Sequence, residues 1–122
     1  MNERSLAERH VLVVEDDYLI AAALAEELAD QAAVVVGPAP SVERALVLVD
    51  GAGQLDLAVL DVNLRGEEVY PVADVLAGKG IPFVLVTGYD RHAIPDRYRQ
   101  GLILEKPVET SAVLSALRRL VR

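Results

Sequence analysis

The sequence predicts an α/β fold, a doubly wound parallel sheet covered by helices on both faces. Two observations predict it. Short apolar runs recur along the chain, mostly continuous and rich in β-branched residues, as strands buried on both faces require. Between them lie stretches whose apolar residues repeat at helical spacing. Strands alternating with helices favour parallel pairing through right-handed crossovers.

The elements follow in order. His10 to Val14 (HVLVV) reads as the first strand. Tyr18 to Ala29 reads as a helix with Ile20, Leu24 and Leu28 on its inner face. Ala33 to Val36 is a second strand, stopped by Gly37 and Pro38. Ser41 caps a helix with Val42, Ala45, Leu46 and Val49 inward, ended by Gly51. Leu55 to Leu60 is the third strand. Pro71 suits the first turn of a third helix, with Val72, Val75 and Leu76 inward and Gly78 and Gly80 at its end. Ile81 to Val86 and Leu102 to Leu104 are the fourth and fifth strands. Thr110 caps a last helix bearing Val113, Leu114, Leu117 and Val121. The exception is YDRHAIPDRYRQ, ahead of the fifth strand. It is polar, has few apolar anchors and contains Pro95, so residues 89–99 are expected to form a loop with at most a short, weak fourth helix.

Composition sets the limits. A chain of 122 residues is one domain, large enough to bury a core, expected over about residues 9–121 with no effector domain after it. With aromatics at only 4%, that core must be Val, Leu, Ile and Ala. The net charge of −7 argues against nucleic acid, whose binding leans on basic phosphate contacts, and against an anionic membrane surface. There is no cysteine, which excludes disulfides, thiolate metal sites and a thiol nucleophile. No apolar run approaches the ~20 residues of a membrane-spanning helix. The charged start, MNERSLAERH, lacks the apolar stretch of a secretory signal. A cytoplasmic protein without membrane insertion is expected.

In such a sheet, function gathers beyond the C-terminal ends of the strands. The first strand ends in Glu15-Asp16-Asp17, the third in Asp61, the fourth in Thr87-Gly88 and the fifth in Glu105-Lys106-Pro107. Converging carboxylates repel one another. A hard cation relieves this, and Mg2+ (or Mn2+) needs only one or two carboxylates beside its waters. Asp16, Asp61 and the backbone carbonyl of Asn63 suit it, with Glu15 binding directly or through a water. Asp61 is then placed to act as a nucleophile towards phosphorus. Lys106 offsets charge on the transferring phosphoryl oxygens, and Thr87 donates its hydroxyl to the bound phosphate. Each residue alone has a plainer reading, as a turn former or a complement to a helix dipole. Their conjunction on separate strand ends favours the functional one. His10 and His92 read as surface residues, and no Gly-rich nucleotide-binding motif occurs.

These residues make the chain similar to the receiver domain of bacterial two-component response regulators, the CheY-like family, over essentially its whole length. The resemblance implies a flavodoxin-like (βα)5 fold with strand order 2-1-3-4-5. It implies Glu15 and Asp16 as the acidic pair, Asp61 as phosphoacceptor, Thr87 as switch hydroxyl and Lys106 as the lysine before proline. DVNLRGEEVYPVAD and PFVLVTGYD resemble the subgroup named for a Phe-Ala-Thr-Gly-Tyr signature. Thr87-Gly88-Tyr89 is kept, while Leu85-Val86 replaces Phe-Ala. That subgroup implies a stand-alone receiver in general stress signalling. Its partner is a histidine kinase, of HWE/HisKA2 type, or a phosphotransfer protein, with the downstream target open and a monomer or weak homodimer expected. It is not a conventional enzyme, although Mg2+-dependent autophosphorylation and autodephosphorylation go with the family.

One departure stands out. Receivers typically carry Tyr or Phe on the fifth strand where this chain has Ile103. Readout is therefore expected through ordering of residues 89–99, with Gly88 and Tyr89 as reporters beside Thr87. Three alternatives stay open: a Mg2+-dependent phosphatase, a phosphorylation-independent receiver-like interaction module, and a receiver fragment of a hybrid histidine kinase. Asn63 stands where such a phosphatase would place an acidic aspartate.

Overall fold

The computed structural model describes residues 5–88 and 91–121. The apolar runs form the expected parallel sheet. Its strands are β1 (His10–Val14), β2 (Val34–Ala39), β3 (Leu57–Asp61), β6 (Phe83–Thr87) and β7 (Leu102–Glu105), in the spatial order β2-β1-β3-β6-β7. Two short strands, β4 (Asn63–Leu64) and β5 (Glu67–Glu68), pair antiparallel as a separate hairpin that sequence reading does not foresee. With the hairpin set aside, the order is the 2-1-3-4-5 that the resemblance implies. Four α-helices flank the sheet: α1 (Tyr18–Asp30), α2 (Val42–Gly51), α3 (Tyr70–Gly78) and α4 (Thr110–Leu120).

Alternation along the strands builds two cores. Val11, Val13, Leu57, Val59, Val84 and Val86 face α1 and α4. Leu12, Val14, Ala58, Leu60 and Leu85 face α2 and α3. Leu6, ahead of the core expected from residue 9, is also buried. Among the described residues, no helix is long and apolar enough to cross a membrane.

Several details correct the sequence reading. β2 does not stop at Gly37 but runs on to Ala39. The register shifts there, from Leu12 beside Val36 to Val14 beside Ala39. Gly37 makes the shift possible. Its φ is 100°, and a Cβ would lie 2.9 Å from the Ala39 nitrogen and 3.0 Å from the Val13 oxygen. The added length matters for the site, because the Ala39 carbonyl accepts the Glu15 N–H at 3.0 Å.

α1 buries Ala21 with Leu24 and Leu28, leaving Ile20 47% exposed. α3 buries Ala73 with Val72 and Leu76, leaving Val75 38% exposed. Four-residue spacing defines a stripe, but contact with the sheet decides which edge of it is covered. Thr110 is the first residue of α4 and not its cap; Glu109 takes the cap position, without a side-chain hydrogen bond.

Between β6 and β7 the chain makes two short 3-10 turns, Arg91–Ala93 and Asp96–Tyr98, and no α-helix among the described residues. This segment is better anchored than its polarity suggests. Ile94 is buried. The Tyr98 ring stacks on Tyr70 at 6.2 Å and meets Phe83 edge-on at 5.4 Å. The Arg97 guanidinium grips the Asp74 carboxylate on α3 at 3.0 and 3.2 Å, and the Tyr98 hydroxyl donates to the same carboxylate.

Candidate functional site

Parallel pairing sets Val14 beside Leu60, so the residues that follow them emerge together at one sheet edge. Carboxylate oxygens of Glu15, Asp16 and Asp61 lie within 4.8 Å of one another. Asp61 is itself the last residue of β3 and only 3% exposed. The three consecutive acidic residues divide their work. Asp17 caps α1, its Oδ1 accepting N–H groups from Leu19 at 2.9 Å and Ile20 at 3.1 Å. Glu15 and Asp16 turn into the cluster.

Lys106 answers this charge. Its Nζ donates to Asp61 Oδ2 at 3.0 Å, and its backbone N–H donates to the Thr87 carbonyl at 2.7 Å. The Lys106–Pro107 bond is cis. Asp61 Oδ1 accepts the Asn63 N–H at 3.3 Å. One ammonium therefore faces three carboxylates. Burial, first of all, and the nearby Asp61 carboxylate push the Glu15 carboxyl up to about 7, although the Asp17 N–H at 3.0 Å partly stabilises its charge. Burial also works against the Lys106 charge, but hydrogen bonding to Asp61 and the fields of Glu15 and Asp16 outweigh it, raising that pKa.

The cluster opens into a cavity of about 500 Å3 lined by Glu15, Asp16, Asp61, Asn63, Arg65 and Lys106, with Gly88 at its edge. Oxygen-only donors beside an under-neutralised carboxylate fit a hard divalent cation such as Mg2+. The sequence-predicted residues Glu15, Asp16, Asp61, Asn63 and Lys106 thus come together. Thr87 ends β6, fully buried, next to the Asp61 strand. Ile103 packs into the α2–α3 core. Tyr89 lies outside the described residues. Sequence reading missed Arg65 and Gly66, which the β4–β5 hairpin carries to the cavity. A second cavity of about 600 Å3 runs between α1 and α4, walled by Leu19, Ile20, Ala23, Pro107 and Val108, with Asp61 and Lys106 at its floor.

No protein-family model matches the chain. The transcriptional regulatory protein PdtaR of Mycobacterium tuberculosis is 30% identical over 113 residues, covering 89% of this chain and 55% of that protein. The chain thus spans about half the length of the curated relatives it matches. The solution structure of SdrG from Sphingomonas melonis Fr1 aligns with a TM-score of 0.74 at 38% identity, covering 93% of this chain and 98% of SdrG. The BeF3-activated conformation of SdrG, from Pseudomonas melonis Fr1, gives 0.75 and 41%, covering 94% and 98%. The REC domain of the response regulator PhyR from Erythrobacter litoralis gives 0.81 at 22%, covering 93% and 90%, a likeness of fold. Similarity to SdrG along nearly all of SdrG's length, on a sheet shared with the PhyR domain, makes this chain a response regulator receiver domain of the two-component systems.

Proposed function

We propose that the chain is the phosphoacceptor of a phosphorelay, taking a phosphoryl group onto Asp61 from a histidine kinase or phosphotransfer protein. The observation that carries this reading is the near-buried Asp61 carboxylate, held by Lys106 at 3.0 Å among two further carboxylates at a strand tip. A free acidic cluster of this kind is costly unless it binds something that needs it.

Asp16, Asp61 and the Asn63 carbonyl would hold Mg2+, with Glu15 direct or through a water. The bound cation would supply positive charge to the phosphoryl oxygens. Asp61 attacks phosphorus as the donor's phosphorus–nitrogen bond breaks, the electron pair leaving on the imidazole. Lys106 then pairs with a phosphoryl oxygen and Thr87 donates its hydroxyl to another. The same residues support autophosphorylation from small donors and autodephosphorylation by water. The groove between α1 and α4, with Leu19 and Ile20 exposed along it, is the face offered to the kinase.

Readout runs through residues 91–99, whose contacts to Asp74, Tyr70 and Phe83 give the segment defined positions to leave and regain. The Thr87-Gly88-Tyr89 run and its surrounding sequence support the Phe-Ala-Thr-Gly-Tyr-type subgroup, and with it a stress-signalling role and an HWE/HisKA2-type kinase. Intact-mass spectrometry after incubation with Mg2+ and a small phosphodonor tests the central claim. A single phosphoryl adduct is expected in the wild type and none in Asp61→Asn. An adduct that persists in the variant would place the chemistry elsewhere.

A further inference from the structure

Arg65 has no part in the reading above, yet the fold puts it at the site. It occupies the two-residue turn of the β4–β5 hairpin with Gly66, between the paired residues Leu64 and Glu67. Both turn residues have positive φ, 55° at Arg65 and 92° at Gly66, the pattern of a type I′ hairpin turn. Asn63 Oδ1 accepts the Gly66 N–H at 2.6 Å and fixes the turn. Positive φ is uncommon for an arginine, but Glu8 and Ala32 share it in this chain, so what matters is where the turn puts the side chain. The turn directs this side chain back over the cavity. Arg65 Nε lies 3.6 Å from Asp16 Oδ2, although the side chain is 81% exposed.

The cavity therefore has two cations in different situations. Lys106 reaches Asp61 from within the sheet edge. Arg65 stands on the rim against Asp16. Asp16 is also one of the three carboxylates able to hold a metal ion. A guanidinium and a divalent cation compete for the same negative charge, and they repel each other well inside the ~8 Å screening length of physiological salt. A guanidinium also pairs well with phosphoryl and similar anionic oxygens.

Resting on the phosphoacceptor reading, we propose that Arg65 is a specificity-determining rim cation with two opposed effects. It neutralises Asp16 when no cation is bound and so weakens Mg2+ binding. Once Mg2+ holds Asp16, the released guanidinium favours the anionic phosphoryl group entering the cavity.

The test compares wild type with Arg65→Gln, Arg65→Lys and Arg65→Glu. Mg2+ affinity is read by calorimetry or amide NMR shifts, and beryllofluoride affinity is read at saturating Mg2+. Exposed ion pairs are worth up to about fivefold in affinity, so Arg65→Gln should tighten Mg2+ about two- to fivefold at low salt. The same change should weaken beryllofluoride by a similar factor. Arg65→Lys should stay near wild type, and Arg65→Glu should exceed Arg65→Gln in both directions. Opposite movement of the two affinities is the signature, since a distorted hairpin would weaken both. If the wild type binds both probes and Arg65→Gln changes neither, or weakens both, the role assigned to Arg65 is wrong. If the wild type binds neither probe, the phosphoacceptor reading falls and this inference falls with it.

Discussion

Replacing Asp61 with asparagine should stabilise the protein in EDTA while removing its phosphorylation. At an effective dielectric of about 20, the attraction to Lys106 at 3.0 Å is worth about 5.5 kcal/mol, and two charged carboxylates within 4.8 Å repel by about 3.5 kcal/mol or more. Glu15, raised to about 7, carries only part of its charge at neutral pH, so attraction and repulsion at Asp61 come close to cancelling. What remains is the cost of burying a carboxylate 3% exposed, which in proteins is several kcal/mol per ion. Asparagine removes that cost but leaves Lys106, itself about one-third exposed, facing two carboxylates. A net gain of about 1–2 kcal/mol follows, or a Tm increase of roughly 4–8 °C for a chain of this size. Thermal and urea unfolding in EDTA would measure it. Excess Mg2+ should narrow the gap, because the wild-type cluster gains more from the ion. A loss of 1 kcal/mol or more in EDTA would mean that the Lys106–Asp61 attraction dominates, and would refute the picture of an under-neutralised cluster.

Three further outcomes are expected. The native Glu15 carboxyl, at about 7 against the ordinary 4.5, binds more protons than the unfolded chain between these values, so its contribution to stability falls as pH rises through that window. Mg2+ binds the deprotonated form, so its stabilising effect should grow from about pH 5 to about pH 8, and a flat Mg2+ response across calorimetric scans would contradict this. Tyr98→Phe keeps the ring against Tyr70 and Phe83 but loses the hydroxyl's bond to Asp74; it should cost about 0.5–1 kcal/mol and speed amide exchange chiefly in residues 91–101. Exchange that rises equally across the sheet would show that the contact is not local. Leu117→Ala, at a fully buried position between α4 and the sheet, should cost about 3 kcal/mol in urea unfolding, whereas a cost under 1 kcal/mol would show that the core closes around the gap.

How much of this is legible in the sequence depends on how local its cause is. The five sheet strands show as apolar runs because the three central ones are buried on both faces and the two edge ones are partly covered, and the residues that end those runs are the residues that meet at the site. Asp61, Glu15, Asp16 and Lys106 could therefore be named from position alone. The β4–β5 hairpin could not, because two-residue strands carry no periodicity. Its one sequence signal is Asn63 three residues ahead of Gly66, a side-chain acceptor spaced to close a turn, and following it would have led to Arg65. Gly37-Pro38 looked like a stop because both residues interrupt strands, but here they serve a register shift. Ile94 and Tyr98 anchor their segment singly, and single anchors leave no pattern to detect.

The position of the acidic cluster also bears on how a phosphate there could be felt elsewhere. Glu15 and Asp16 follow β1 and Asp61 ends β3, neighbouring strands locked by pairing from Val11–Leu57 to Val14–Leu60. The carboxylates cannot separate by moving their backbones without breaking that pairing. A change of charge must therefore act through side chains, and the one that reaches across the sheet is Lys106. Lys106 directly follows β7, and its backbone N–H is bonded to Thr87 at the end of β6. The chain between Thr87 and β7 is the segment held by Asp74, Tyr70 and Phe83. Turning Thr87 to a phosphoryl group would pull on the start of that segment, and drawing Lys106 to the same group would act on it only through β7, which the segment enters at Leu102. Its middle is held by exposed polar contacts and one ring cluster, far weaker restraints than the sheet, so the segment is where the movement should appear.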